Sequence, residues 1–320
     1  MDKPLIKPLR LKPGDTVGLV TPASPPLDFR DIARAEKFLR GLGFNVLHGK
    51  NIRRRTGFLA GSDTERTADL HWMFADHAVR GIFALRGGYG SGRLLELLDW
   101  KLIGSNPKVL VGHSDLTAVL TAIHSRTGMV TFWGPLAGYD LGRSPSPFKT
   151  RWLKAVTFKT SNELKLPGSP PGTRRRLRVL AGHGTAEGRL VGGNLSIITS
   201  LLGTPFEIDT RGRLLFFEDV DEEPYRIDRM LSQLALAGKF HQAVGIIVGH
   251  CVNCESSGRM RRTFNLSQVL KDRLGHLGIP VIYGSPLGHE PEKITLPLGV
   301  KARLDTERPG LTLLEAAVSD

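Results

Sequence analysis

Lys108-Val109-Leu110-Val111-Gly112-His113-Ser114-Asp115-Leu116-Thr117 is the stretch on which the reading of this chain turns. Lys108 to Val111 is an apolar strand, Gly112-His113-Ser114 a tight turn, and Leu116 to Ser125 a helix that leaves at once. A strand that feeds directly into a helix is the repeating unit of a parallel sheet covered on both faces.

The same alternation extends upstream. Asp15 to Val20 predicts a buried strand, followed by a Pro/Ser turn at Thr21 to Pro26. Asp28 is placed to cap a helix running to about Leu42, with Gly43 where a C-terminal cap glycine belongs. Phe44 to Leu47 predicts a second strand. Ser62-Asp63-Thr64-Glu65 has capping-box spacing and opens a helix with Leu70, Met73 and Phe74 among its apolar positions. Gly81 to Leu85 predicts a third strand and Ser91 to Leu98 a further helix.

From Asp140 to Arg176 the pattern lapses into Ser144-Pro145-Ser146-Pro147 and Pro167-Gly168-Ser169-Pro170-Pro171-Gly172, which is turn and linker chemistry. Beyond it the pattern resumes with Gly184 to Gly193, and strands are expected at Arg213 to Phe217, Val244 to Val248 and Pro280 to Tyr283. Helices are expected at Asn194 to Leu202 and Ile227 to Ala237, and short strands joined by turns at Leu296 to Ala316. The chain therefore reads as α/β. Residues 1–150 form a doubly wound parallel sheet, flavodoxin-like or Rossmann-like. Residues 151–178 form a linker, and 179–320 a second, smaller mixed α/β domain rich in β-structure.

Of 320 residues, 40% are hydrophobic and 23% charged, the composition of a folded domain protein. No stretch approaches the roughly 18 apolar residues that span a bilayer, so no membrane partner is expected. Met1 to Lys12 is basic but lacks the apolar core of a signal peptide, which favours a cytoplasmic location. The net charge of +13 and pI near 10.0 suit acidic partners. The two tight basic clusters, Arg53-Arg54-Arg55 and Arg174-Arg175-Arg176, lack interleaved aromatics and read as solvated loops rather than a nucleic-acid surface. The only cysteines, Cys251 and Cys254, are too few for a disulfide framework. They follow a strand rather than open a helix, and only His250 and Glu255 are near as further zinc ligands. Buried thiols are the expectation, with no metal or organic cofactor.

The turn at Ser114 has the form of a nucleophile elbow, which exposes the hydroxyl at the carboxyl end of a strand and frees the next N–H for an oxyanion. Leu116 stands where the usual Gly-x-Ser-x-Gly pattern has its last glycine. A serine after a strand also serves as a plain helix cap. Arg86-Gly87-Gly88-Tyr89-Gly90-Ser91-Gly92 lacks the Lys-Ser/Thr of a phosphate loop, but it leaves a neighbouring strand at the same end of the sheet. It is the natural source of a second oxyanion donor; such donors contribute roughly 2.7–4 kcal/mol each. A serine nucleophile needs a base and an orienting acid. Of ten histidines, His289 and His250 both follow apolar strands, while His48, His71, His77 and His124 read as surface or packing residues. His113, adjacent to the serine, should point away from it. Glu218 ends a buried strand, but Asp219, Asp221, Glu222 and Glu223 crowd beside it. A nucleotide- or nucleic-acid-binding protein using the glycine loop is the competing non-enzyme reading.

Five segments resemble the LD-carboxypeptidase (muramoyltetrapeptide carboxypeptidase) family, which also contains microcin-immunity peptidases. They are Leu11-Lys12-Pro13-Gly14-Asp15 with Thr21-Pro22-Ala23-Ser24, then Arg86 to Gly90, and Gly112-His113-Ser114-Asp115. Glu218-Asp219-Val220 with Glu223 to Arg229, and Gly284-Ser285-Pro286-Leu287-Gly288-His289, complete the set in family order. The resemblance implies Ser114 as nucleophile, His289 as base, Glu218 as orienting acid, and the N–H groups of Gly88 and Asp115 as the oxyanion hole. It further implies a murein peptide or muropeptide substrate cut at its terminal D-Ala, and a homodimer. Arg86 and Tyr89 are the candidates to touch substrate. Arg86, or a basic residue of the second domain, is the candidate for its free carboxylate. A microcin-like peptidyl nucleotide is the alternative substrate.

Overall fold

The computed structural model describes residues 3–173, 176–256 and 263–320, and the chain divides into two compact units. Arg174 and Arg175 of the second basic cluster lie outside the described residues.

The first unit comprises residues 1–161, 294–299 and 316–320. Its strands are β1 (Thr16–Val20), β2 (Asn45–His48), β3 (Val79–Ala84), β4 (Val109–Gly112) and β5 (Thr131–Trp133). These run parallel in the order β2-β1-β3-β4-β5, the flavodoxin-like order. The helices are α1 (Arg30–Gly41), α2 (Asp63–Ala75), α3 (Trp100–Ser105), α4 (Thr117–Thr127) and α5 (Pro147–Thr157). The capping box at Ser62 is formed: Glu65 N–H donates to Ser62 Oγ and Ser62 N–H to Glu65 Oε2. Helix α2 packs so closely on β1 that a Cβ at Gly18 would lie 2.4 Å from Met73 Sδ. Val17, Leu19, Ile82, Phe83, Val111, Phe132 and Trp133 are fully buried; removing such a side chain from water contributes about 1.5–3 kcal/mol.

The structure departs from the sequence pattern at three places. Ser91 to Leu98 is not one helix: a short 3₁₀ turn covers Ser91–Leu94, and α3 starts after Asp99, whose carboxylate accepts from Leu102 N–H at 2.9 Å. Gly90, at φ 109°, and Gly92 weaken a helix start at Ser91. The stretch 151–178 is not all linker, because α5 runs through to Thr157. Ser146-Pro147, turn-like in sequence, is a helix start: Ser146 Oγ accepts from Lys149 N–H, and proline at the first helical position loses no bonded N–H. Finally, residues 294–299 and 316–320 return to the first unit, where β12 (Leu296–Leu298 in chain order) pairs antiparallel with β5.

The second unit comprises residues 162–293 and 300–315. Its strands are β6 (Leu164–Lys165), β7 (Arg178–Ala181), β8 (Thr185–Asn194), β9 (Arg213–Glu218), β10 (Gly245–Gly249), β11 (Val281–Ser285), β13 (Lys301–Asp305) and β14 (Gly310–Leu313). They form one mixed sheet in the order β6-β14-β13-β8-β9-β10-β11-β7, with β8 to β11 parallel. The helices are α6 (Leu195–Ser200), α7 (Pro224–Leu236), α8 (Lys239–Gln242) and α9 (Leu266–Leu274). Leu195, Ile198, Phe217, Leu231, Ile246 and Val269 belong to one buried cluster on this sheet. Among the described residues no helix is long and apolar enough to cross a membrane.

Candidate active site

In the first unit, three loops leave the carboxyl ends of β1, β3 and β4, which flank the point where strand order reverses; open α/β sheets place their sites there. Strand β4 ends at Gly112, His113 is extended, and Ser114 turns the chain at φ 61° into a short 3₁₀ turn that continues as α4. For a non-glycine residue such a conformation costs about 1–3 kcal/mol and must be held by its surroundings. The absent last glycine of the elbow pattern is compensated on the strand side. A Cβ at Gly112 would come 3.1 Å from Leu116 Cγ, so glycine there makes room for leucine.

The loop after β3 lies against this serine. A Cβ at Gly87 would be 2.9 Å from Ser114 Cβ and 3.2 Å from its Oγ, and only glycine permits that approach. Gly88 follows at φ 95° and is bracketed by Ser24 of the β1 loop. Ser24 N–H donates to Gly87 C=O at 3.1 Å, and Tyr89 N–H donates to Ser24 Oγ at 3.1 Å. Buried Asp115 holds the far side: its carboxylate accepts from Gly90 N–H at 3.1 Å and Ser91 N–H at 2.8 Å. From α2, buried Arg66 donates to the carbonyls of Gly90 at 2.8 Å and Pro22 at 2.6 Å. Sequence reasoning named Gly88 and Asp115 for their backbones and missed these side-chain clamps; the proximity of Ser24 and Arg66 has no local signal.

Arg86 is half-buried and donates to Pro25 C=O at 2.7 Å. Burial, then the positive charges of Arg55 and Arg143, push its guanidinium below the usual arginine range. Arg143 is neutralised by Asp31 through contacts of 2.7 and 2.6 Å, whereas Arg86 has no ion pair among the described residues. Tyr89 is 54% exposed and meets Phe58 edge-on at 5.4 Å. Of the first basic cluster, Arg54 pairs with Glu65 at 3.4 Å and Arg55 donates to Pro26 C=O.

In the second unit, Glu218 ends β9 fully buried, and its Oε2 lies 2.8 Å from His289 Nδ1. A carboxylate accepts only, so His289 carries its proton on Nδ1 and leaves Nε2 basic. Gly288, at φ 94°, permits the approach, since a Cβ there would sit 2.2 Å from Glu218 Oε2. The rival His250 instead sets its ring edge-on to Tyr283 at 5.7 Å. Glu218 Oε1 accepts from Asn194 Nδ2 at 3.2 Å, and the same amide donates to Asp219 Oδ1 at 3.0 Å. Asp219 is turned away to the start of α6, accepting from Ser196 N–H at 2.8 Å and Ser196 Oγ at 2.7 Å. Burial, then the Glu218 charge, raise its pKa.

Cys251 and Cys254 are buried free thiols. A hydrogen bond with Cys254 and burial raise the Cys251 pKa well above the ordinary thiol value, which suppresses thiolate chemistry. Among the described residues no group of three potential metal ligands occurs.

Family models match both halves of the chain: the LD-carboxypeptidase N-terminal domain over residues 17–134 and the LD-carboxypeptidase C-terminal domain over residues 187–304. A probable murein peptide carboxypeptidase of Bacillus subtilis is 45% identical over 315 residues, covering 98% of this chain and 96% of that protein. The structure of MccF in complex with glutamyl sulfamoyl guanosine aligns at a TM-score of 0.88 with 29% identity, covering 99% of this chain and 100% of that one. Muramoyltetrapeptide carboxypeptidase from Oxalobacter formigenes aligns at 0.80 with 30% identity, covering 93% and 97%. Both sheets, the elbow and the acid–histidine pair thus sit within a scaffold shared along nearly the full chain, and the protein belongs to the LD-carboxypeptidase family.

Proposed function

We propose that this chain is a serine carboxypeptidase that hydrolyses the amide between an L-centre and a terminal D-Ala of murein tetrapeptides, with Ser114, His289 and Glu218 as its triad. The observation that carries the reading is Ser114 itself, held at φ 61° with the glycine loop against its hydroxyl. His289 Nε2 takes the Ser114 proton as Oγ attacks the carbonyl carbon. Glu218 keeps the imidazole in the required tautomer and balances the imidazolium that forms. The N–H groups of Gly88 and Asp115 receive the oxyanion. Collapse breaks the C–N bond, and the D-Ala amine leaves with the proton held by His289. Water, deprotonated by the same nitrogen, then cleaves the ester and regenerates Ser114. Arg86, a cation with no ion-pair partner among the described residues, is suited to the free carboxylate that defines a carboxypeptidase substrate.

The test is mass spectrometry of a murein tetrapeptide before and after incubation. Conversion to tripeptide with D-Ala released is expected, and Ser114→Ala should abolish it. Robust turnover by Ser114→Ala refutes the serine mechanism. Likeness to MccF, solved with glutamyl sulfamoyl guanosine, supports a second reading in which the same machinery cleaves an aminoacyl- or peptidyl-nucleotide amide. Incubating both substrate classes side by side separates the two.

A further inference from the structure

We propose that His113 and Asp140 form a positioning pair that holds Ser114 in its left-handed conformation, a role that rests on Ser114 being the nucleophile. The His113 imidazole is 1% exposed. Its Nε2 lies 2.8 Å from Asp140 Oδ2, and its ring packs at 5.4 Å on Trp133. Trp133 in turn donates from Nε1 to Thr117 Oγ1, the first residue of α4. The side chain before Ser114 is therefore gripped on two sides.

Asp140 is delivered by a π-helical turn, Ala137–Gly142, in which Leu141 N–H reaches back to Leu136 C=O and Arg143 N–H to Gly138 C=O. Such turns are rare and recur at functional sites. This one is tied down on each side. Leu136 N–H donates to Asp140 Oδ2 at 2.8 Å, buried Lys149 of α5 donates to Asp140 C=O at 2.8 Å, and Gly138 N–H donates to Leu85 C=O at 3.0 Å. Leu85 directly precedes the glycine loop. A Cβ at Gly87 would lie 3.3 Å from His113 O, so the glycine loop lies against the peptide joining His113 and Ser114. Desolvating ionisable groups this thoroughly costs several kcal/mol per ion, and apolar replacements often serve stability as well or better. Stability alone does not account for the pair; alignment of the serine does.

The experiment uses the full chain with His113→Phe, Asp140→Asn and the double variant. Asparagine in place of Asp140 keeps an acceptor for Leu136 N–H, and the double removes the buried charge that His113→Phe leaves without its imidazole. The readouts are Tm, the rate of Ser114 labelling by a fluorophosphonate per folded molecule, and kcat and KM separately. His113→Phe is expected to label at least tenfold more slowly, about 1.4 kcal/mol per tenfold, with kcat falling in parallel while KM holds. Asp140→Asn, whose oxygen in the Oδ2 position still accepts from both Leu136 N–H and His113 Nε2, removes only the charge and should label within a few fold of wild type. The double variant should recover the Tm lost by His113→Phe but not the labelling rate. A folded double variant that labels at the wild-type rate overturns the proposal, as does one that cannot fold, which would assign the pair to stability. Wild-type protein that does not label at Ser114 overturns the nucleophile assignment and this proposal with it.

Discussion

Glu218→Gln is nearly isosteric, yet the surroundings of Glu218 dictate which way the new amide must face. Asn194 Nδ2 donates to the Oε1 position at 3.2 Å, so a glutamine there must present its oxygen to Asn194. Its NH₂ then occupies the Oε2 position, 2.8 Å from His289 Nδ1. The opposite orientation sets two donors face to face in a fully buried place, costing about 1–3 kcal/mol. Facing a donor, His289 moves its proton to Nε2, the nitrogen that the proposed mechanism requires as base. In the serine-protease template the equivalent carboxylate-to-amide change lowers kcat about 10⁴-fold through the wrong tautomer. A loss of about 10³–10⁴ is expected here, roughly 4–5.5 kcal/mol of transition-state stabilisation, with KM little changed. Release of D-Ala under saturating tetrapeptide measures kcat. A kcat for Glu218→Gln within tenfold of wild type, in a protein of unchanged Tm, refutes the tautomer argument.

Substitutions at two further positions probe other parts of the first unit. Asp115→Ala keeps the backbone N–H but deprives Gly90 and Ser91 N–H of their acceptor, which should cost about 10²-fold in kcat as the oxyanion loop loosens. Asp115→Asn, with one acceptor left, should fall between, and equal kcat values in all three proteins would exclude a clamp. Lys108, at the opposite end of β4, has its pKa lowered to about 8 by burial, with Asp76 opposing and Arg80 adding to the shift. Between about pH 8 and the unfolded value near 10.5, the unfolded chain binds the extra proton, so the burial penalty is complete below pH 8 and is relieved as pH rises. In urea unfolding, wild type should gain about 2–3 kcal/mol on a Lys108→Met variant across that window. Parallel stability curves would show that the lysine stays charged.

The elbow was legible because its strand, turn and helix lie within ten consecutive residues and need no distant partner. What the sequence left open depends on non-local geometry. Five carboxylates crowd residues 218–223, and only the point where β9 ends decides that Glu218 meets the imidazole while Asp219 turns to α6. His250 and His289 follow the neighbouring parallel strands β10 and β11, so local pattern treats them alike. Gly288, at φ 94°, is what brings the chain of His289 over Glu218. The missed helix α5 had its signal in plain view, Ser146 as cap and Pro147 as first residue, and a proline-rich neighbourhood concealed it. A short strand at Leu296 was legible, but its pairing was not, because the antiparallel partner β5 lies more than 160 residues earlier.

The two donors assigned to the oxyanion are not independent parts. Asp115 offers its N–H at the foot of α4, while its carboxylate fixes Gly90 and Ser91 in the loop that carries Gly88. Ser91 Oγ returns a hydrogen bond to Asp115 C=O at 2.5 Å, closing the link from the other direction. Elbow and loop therefore move as one body, braced by Ser24 from the β1 loop and Arg66 from α2. A donor held this way reaches the transition state with no reorganisation of its own, which is where electrostatic catalysis gains most. In the proposed mechanism the strain at Ser114, about 1–3 kcal/mol, is the cost of placing Oγ beside that pair of donors. At its upper end it is comparable to the contribution of one well-aligned oxyanion hydrogen bond, about 2.7–4 kcal/mol, and two such bonds outweigh it.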